Sequence, residues 1–294
     1  MIVAVLVGLA VPLAIPAGAE RPAGREVEAP VIGPAEGDEL HVMSFNLRFA
    51  ADEEPNSWAS RRPAMAELLR REQPTVVGTQ EGLYHQLTDL DRALPGHYAW
   101  IGEGRAGGSH DEFMAVLYDT RRLEPLEYDH FWLSDTPSLV GSTSWGNRLP
   151  RMVTWVRFAD RRTGAELVVV NTHLDDRSAY ARERAAALLR ERIAAFPPDL
   201  PVVLTGDFNA PAGHSPCYDV LTERMTDTWT EAARRGPAYA TWHGYRPLRR
   251  DGERIDWILS RGAVTVHAAA VNTFHRDGQF PSDHLPVQAL VSLG

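Results

Sequence analysis

The sequence predicts an α/β domain in which β-sheets pack face to face with helices on the outside. Three observations lead there. Between Leu40 and Gly294, short apolar runs of strand length outnumber the amphipathic segments of helical length. Many strands and few helices suit sheets that cover one another and leave their outer faces to helices. No break in composition divides this stretch, and 294 residues with 44% hydrophobic content suffice for one large core.

The elements follow in order. "LHVMSFNLRF" (40–49) reads as a strand. "SRRPAMAELLRREQP" (60–74) reads as a helix, with Ser60 able to cap it, Pro63 in its first turn and Pro74 after its end. "TVVGTQE" (75–81), "FMAVLYD" (113–119), "MVTWVRF" (152–158) and "ELVVVNTHL" (166–174) are strands. "SAYARERAAALLRERIAAF" (178–196) sets Ala, Leu and Ile on one face and Arg and Glu on the other, the helical period. "PVVLTGDFN" (201–209), "RIDWILS" (254–260), "AVTVHAAAVN" (263–272) and "LPVQALVSL" (285–293) complete the strands. One long connection, residues 130–151, carries Phe131, Trp132 and Trp145 among Ser, Thr, Gly and Pro. Long structured loops often bind ligands, although such aromatics also serve simply to anchor a loop to the core.

Composition excludes several chemistries. The net charge of −9 lacks the broad basic footprint of a protein that holds nucleic acid by net charge, while leaving room for a local basic groove. Every basic residue is Arg, so no lysine Schiff base or P-loop lysine exists. Cys217 is the single cysteine, which rules out an intrachain disulfide and a Cys-rich zinc site.

Residues 1–19 are apolar, interrupted by Gly8, Pro12 and Pro16, and end in Ala17-Gly18-Ala19. This small-x-small ending predicts a secretory signal peptide and a secreted or extracytoplasmic protein. No Lys or Arg precedes the apolar stretch, so an uncleaved anchor stays open. Residues 20–38, rich in Pro, Gly and Glu, are expected to be a flexible linker to a catalytic domain over 39–294. No later stretch is long and apolar enough to span a bilayer.

The informative residues stand at strand ends. Asp207 and Asn209 close "VVLTGDFN"; in a strand, i and i+2 face one side. Asn171 and His173 repeat the pattern in "VVVNTH". Asn46 ends "HVMSFN", Glu81 ends "TVVGTQE", Asp256 lies in "RIDWIL", and Asp283 and His284 are adjacent in "SDHLPV". Each has a local alternative, such as a turn, a helix cap, an ion pair with Arg254 or a satisfied core histidine. Their recurrence after apolar runs points instead to one shared site. Asn46, Glu81, Asp207, Asn209 and Asp283 offer hard oxygen donors, which prefer Mg²⁺, Mn²⁺ or Ca²⁺ to Zn²⁺. His173 and His284 remain for proton transfer. A divalent cation with His–carboxylate pairs suggests phosphoester hydrolysis.

In this order, "SFNLR", "TQE", "NTHL", "GDFN", "RIDWIL" and "SDHLPV" resemble the endonuclease/exonuclease/phosphatase superfamily over roughly Leu40 to Gly294. The resemblance implies a four-layer α/β sandwich of two mixed β-sheets packed face to face with helices outside. It implies that Asn46 and Glu81 hold the metal, with Asp283 supporting that region. Asp207 and Asn209 would position the water and the phosphate, and Asp256 would pair with His284. By the same resemblance Glu112 pairs with His173, and Arg48 and Arg151 lie near the phosphate. Abasic-site endonucleases carry an acid where this chain has Arg48, and the disulfide-bearing secreted nucleases keep cysteine pairs that it lacks.

The expected activity is metal-dependent hydrolysis of a phosphoric ester, with a phosphodiesterase having nuclease activity favoured. His284 is the favoured base and His173 the phosphate stabiliser or acid, while Asn171 and Trp145 are expected to contact substrate. A nuclease would use Arg48, Arg151 and the tract "YRPLRRDGER" (245–254) as a groove. A phosphatase or phosphodiesterase for a lipid headgroup, nucleotide or phosphorylated sugar would use Phe131, Trp132 and Trp145 as a wall. A binding protein without turnover is a third reading. A monomer is expected.

Overall fold

The computed structural model of the protein describes residues 29–294, so the expected signal peptide and residues 20–28 of the expected linker lie outside the described residues. In chain order the elements are β1 (Glu39–Asn46), α1 (Trp58–Glu72), β2 (Val76–Gln80), β3 (Gly82–Leu83), α2 (Tyr84–Ala93), β4 (Tyr98–Ile101), β5 (Glu112–Phe113), β6 (Val116–Asp119) and β7 (Leu123–Trp132). There follow β8 (Met152–Asp160), β9 (Glu166–His173), α3 (Ala179–Ala194), β10 (Val202–Asp207), α4 (Pro216–Thr222) and β11 (Thr226–Asp227). The chain ends with α5 (Thr228–Glu231), β12 (Arg234–Arg235), β13 (Asp256–Arg261), β14 (Val264–Val271) and β15 (Val287–Leu293).

Two large mixed sheets result. One runs β12-β14-β15-β1-β2-β6-β4, with β1 parallel to β2 and antiparallel to β15. The other runs β11-β13-β10-β9-β8-β7, with β9 and β10 parallel among antiparallel neighbours. Their inner faces meet through buried Val42, Val76 and Val116 on one side and Val156, Val169, Val203 and Ile258 on the other. Outside the first sheet, Met65 and Leu68 of α1 and Leu87 and Leu90 of α2 pack on Met43, Phe45 and Val77. Outside the second, Leu189 and Ile193 of α3 and Leu221 of α4 pack on Val168, Leu204 and Trp257. This is the expected four-layer sandwich.

Alternation along each strand decides what reaches the inter-sheet seam. On β1, Met43 and Phe45 face the helices, while Leu40, Val42, Ser44 and Asn46 face the other sheet. The seam is apolar along most of its length and turns polar toward one end. There Gln80 donates to Asn171 Oδ1 at 2.7 Å and Thr205 donates to the same oxygen at 3.1 Å. Asn171 Nδ2 in turn donates to the carbonyls of Thr79 and Ala115, at 2.8 and 3.0 Å. Gly78 makes room for this layer, since a Cβ there would lie 2.0 Å from Thr205 Oγ1. Two residues further along three strands come Asn46, His173 and Asp207.

Besides adding α2, β4, α4, α5 and the two-residue strands β3, β5, β11 and β12, the structure differs from expectation in three places. Ser57, not Ser60, caps α1, its hydroxyl accepting the Ser60 N–H at 3.2 Å. β7 occupies the start of the expected 130–151 loop and the residues before it. It is an edge strand with only Leu123, Phe131 and Trp132 buried, so it carries no apolar alternation. Residues 31–33 of the expected linker are not free. The Val31, Ile32 and Gly33 amides donate to the Glu72 carboxylate at 2.8, 3.1 and 3.0 Å, because that buried anion on α1 needs donors.

Candidate active site

At the polar end of the seam lies a cavity of about 470 Å³, lined by Glu81, Glu112, Arg151, His173, Asp207, Asn209, Asp283 and His284, among others. The two sheets contribute unlike groups. β1 ends in Asn46 and β2 leads into Glu81; β9, β10 and β13 bring His173, Asp207 and Asp256. His284 and Asp283 come from the loop between β14 and β15. Arg48, Glu81 and Asn209 all hold left-handed backbone (φ 53°, 63° and 49°), a costly conformation that concentrates at functional sites.

Asn46 joins the halves. Its Nδ2 donates to Glu81 Oε1 at 2.8 Å and to Asp207 Oδ2 at 2.9 Å, and its Oδ1 accepts the Arg48 N–H at 2.8 Å. Asp207 Oδ1 accepts the Asn209 N–H at 2.9 Å. Asn209 Nδ2 donates to the Leu174 carbonyl and lies 3.0 Å from His173 Nε2, which accepts when that ring is neutral. His284 Nδ1 is 3.0 Å from Asp256 Oδ2. Among the described residues, two groups present ligand atoms within 4.8 Å of one another: Glu81, His173 and Asp207, and Asp207, Asp256 and His284. Asp207 belongs to both.

The electrostatics separate the two histidines. Burial lowers the His173 pKa well below its ordinary value, and the charges of Arg151, His284 and Arg105 push the same way. Burial opposes charge on His284 too, but Asp256 and Asp207 outweigh it and raise its pKa well above the ordinary value. His284 is the expected base, yet with a carboxylate on either side its protonated form is the favoured one. Burial and the neighbouring Asp256 push Asp207 up to about 7, against the opposing pull of His284. Burial likewise lifts Glu112 to about 7, although Arg105 opposes it.

Further residues depart from expectation. Glu112 does not pair with His173; its carboxylate takes Arg105 Nη1 at 2.8 Å, and His173 Nδ1 has no hydrogen-bond partner among the described residues. Asn171 cannot contact substrate, since it is fully buried in the polar layer beneath the site with its amide committed. Trp145 lies in a different and larger cavity of about 740 Å³ beside α3, where its Nε1 donates to Asp135 and Arg184 covers its ring. That cavity holds no metal-ligating cluster among the described residues, whereas Glu81, His173 and Asp207 line the smaller one. Phe131 and Trp132 close β7 and are buried in the core rather than forming a pocket wall. Asp283 stands outside both ligand groups, its carboxylate 3.9 Å from Arg48. Arg151 lines the smaller cavity, held by Asp176 at 2.9 Å.

Sequence reasoning missed Phe49, Arg105, Leu149, Asp176, Trp242 and Ile255, which also line the cavity. Phe49 follows Arg48 and Leu149 precedes Arg151 by two, so proximity to chosen residues was the available signal. Arg105, in a Gly-rich hairpin, offered none.

Comparisons with known proteins identify the family. A family model described as the Endonuclease/Exonuclease/phosphatase family matches residues 43–284. The crystal structure of an endonuclease/exonuclease/phosphatase from Bacteroides vulgatus is 30% identical, covers 87% of this chain and 99% of its own, and superposes with a TM-score of 0.82. A mannosyl-6-phosphatase from Bacteroides thetaiotaomicron is 32% identical over 86% of this chain and 100% of its own, with a TM-score of 0.81. Protein angel of Drosophila melanogaster is 27% identical over 173 residues, 54% of this chain and 46% of angel, so this chain spans about half the length of that relative. The chain therefore belongs to the endonuclease/exonuclease/phosphatase family and is a phosphoesterase.

Proposed function

We propose that the protein is a metal-dependent hydrolase acting on a small phosphorylated molecule, with a sugar phosphate the leading class. The carrying observation is the convergence of Glu81, His173 and Asp207 at the floor of a cavity. Phe49, Leu149 and Trp242, each close to half exposed, stand among its lining residues. Apolar and aromatic rims suit the C–H faces of a compact leaving group. The likeness to a mannosyl-6-phosphatase over nearly the whole chain supports the same reading.

The donor set fits a hard divalent cation: two carboxylates and an imidazole, with no thiolate nearby. Glu81, Asp207 and His173 would hold it, and Asn46 would orient the two carboxylates. When bound, Mg²⁺ or Mn²⁺ supplies positive charge for the phosphoryl oxygens. Asp207, fixed by Asn46 and the Asn209 amide, orients the attacking water and receives its proton. The P–O ester bond breaks as the water oxygen bonds to phosphorus. His284, braced by Asp256, gives its proton to the leaving ester oxygen, and Arg151 holds a non-bridging oxygen.

A nuclease is the second reading, favoured by exposed Arg246, Arg249 and Arg250 near Trp242. Against it, Arg254 is engaged by Asp227 at 2.7 Å, and Arg246 and Arg250 lie over Trp242 and Tyr239. Export, through residues 1–19, and a monomeric state belong to the same proposal.

The deciding experiment assays purified protein with Mg²⁺, Mn²⁺ and Ca²⁺ against sugar phosphates, a chromogenic monoester and diester, phospholipids, DNA and RNA. Metal-dependent monoester turnover is expected, abolished by EDTA and lowered about a hundredfold or more by Asp207→Ala or His173→Ala. Turnover of nucleic acid alone, falling steeply with salt, would favour the nuclease. No turnover of any phosphoester would end the proposal.

A further inference from the structure

Arg61 lies on α1 and is fully buried. No carboxylate among the described residues lies within ion-pair distance of it. All five of its N–H groups donate instead to backbone carbonyls. Nε reaches Asn56 at 2.9 Å; Nη1 reaches Leu47 at 2.8 Å and Pro281 at 2.9 Å; Nη2 reaches Arg48 and Phe49, both at 3.2 Å.

Burying a cation without a counter-ion is costly, and an apolar side chain of similar volume would pack there without that cost. What the cation gains is geometry. Leu47, Arg48 and Phe49 directly follow Asn46, and Pro281 precedes Asp283 by two residues. The carbonyls of residues 47–49 are taken by Arg61, while the Arg48 and Phe49 amides serve the site and the Leu47 amide donates to the Gln80 carbonyl at 2.9 Å. Arg48 N donates to Asn46 Oδ1 at 2.8 Å and Phe49 N donates to Glu81 Oε2 at 3.2 Å. The Arg48 carbonyl is also held by Gln86 Nε2 at 3.0 Å, which helps fix a residue whose φ is 53°.

We propose that Arg61 is a positioning residue of the catalytic centre. Through five carbonyls it clamps the turn after β1 to the loop carrying Asp283 and His284, and so orients Asn46 and Glu81 toward the cation. This rests on the phosphoesterase reading above. Arg61 touches neither substrate nor any proposed metal ligand; it acts through the Arg48 and Phe49 amides. Lysine keeps the charge but has three donors on a single nitrogen, too few and too close together to hold two loops.

The test compares Arg61→Lys and Arg61→Ala in the full chain with Arg122→Gln. Arg122 is a mostly buried arginine that pairs with Asp160 at 2.6 Å and does not line the cavity. Binding of Mn²⁺ to metal-free protein is titrated by EPR, beside thermal unfolding and steady-state kinetics on p-nitrophenyl phosphate. Arg61→Lys is expected to bind Mn²⁺ about tenfold more weakly and to lose about thirtyfold in kcat, with KM changed less than about threefold. Millimolar guanidinium is expected to restore part of the kcat of Arg61→Ala. Arg122→Gln is expected to melt earlier with Mn²⁺ affinity and kcat unchanged. If Arg61→Lys matches wild type in Mn²⁺ affinity and kcat, or loses no more of either than Arg122→Gln, Arg61 is merely structural and the proposal is wrong. Should Arg61→Ala fail to fold, Arg61→Lys decides alone. Wild-type protein that hydrolyses no phosphoester with any divalent ion would instead fail the underlying reading, and the Mn²⁺ comparison would still judge Arg61.

Discussion

Asp256 Oδ2 stands 3.0 Å from His284 Nδ1, and the opposite ring nitrogen of His284 lies 3.8 Å from Asp207 Oδ2. One imidazole thus spans two buried carboxylates. Asp256→Asn removes the charge that most favours the protonated ring, so the His284 pKa falls. The alkaline limb of the kcat/KM profile is expected to move to lower pH, with kcat reduced about a hundredfold at neutral pH. A pH–rate series on both proteins checks this; an unmoved limb would count against a charged His284.

Cation binding should stabilise the fold. A ligand at a hundred times its Kd adds about 2.7 kcal/mol, on the order of 5 °C in Tm for a domain of this size. Millimolar Mg²⁺ or Mn²⁺ is expected to raise the Tm of wild type by about that much. Glu81→Gln should show little of the rise, and calorimetry with and without EDTA reads both.

Glu112 gives stability a pH dependence of known sign. Its folded-state pKa, about 7, lies above the ordinary 4.5, so the folded protein favours the protonated carboxyl. That stability is fully present below about pH 4.5 and is lost as pH rises through 7. Glu112→Gln has no such loss. Relative to wild type, the variant should therefore gain on the order of 1–3 kcal/mol between pH 4.5 and 8. Denaturant titrations of metal-free protein across that range measure the difference.

Gly78→Ala tests the polar layer. The added Cβ would sit 2.0 Å from Thr205 Oγ1 and 2.6 Å from Asn171 Oδ1, both packed between sheets with nowhere to go. A loss of about 2–4 kcal/mol is expected by chemical denaturation. A smaller loss would mean that the seam yields more readily than its packing indicates.

The strand-end residues were legible because a buried strand that closes on Asp, Asn or His has few reasons to do so, and the pattern recurred in order along the chain. Depth was harder to read. Asn171 and His173 share a face, but one step of that face is roughly 6.6 Å along the strand. It separates a side chain in the cavity from one sealed beneath it. Trp145 was misplaced because loop composition does not encode where the loop lands. Arg61 was invisible for a different reason: five carbonyls from two loops satisfy it, and backbone acceptors leave no trace in a sequence. Among the elements missed, β7 is an exposed edge and α2 a single short amphipathic stretch.

The division of the site between the two sheets constrains when the protein can become active. Asn46 and Glu81 rise from one sheet, and His173, Asp207, Asn209 and Asp256 from the other, so neither layer alone contains a competent set. Turnover is consequently a reporter of completed folding: a refolding chain should stay inert until its two sheets dock, and recovery of activity should coincide with closure of the interior rather than with the earlier appearance of secondary structure.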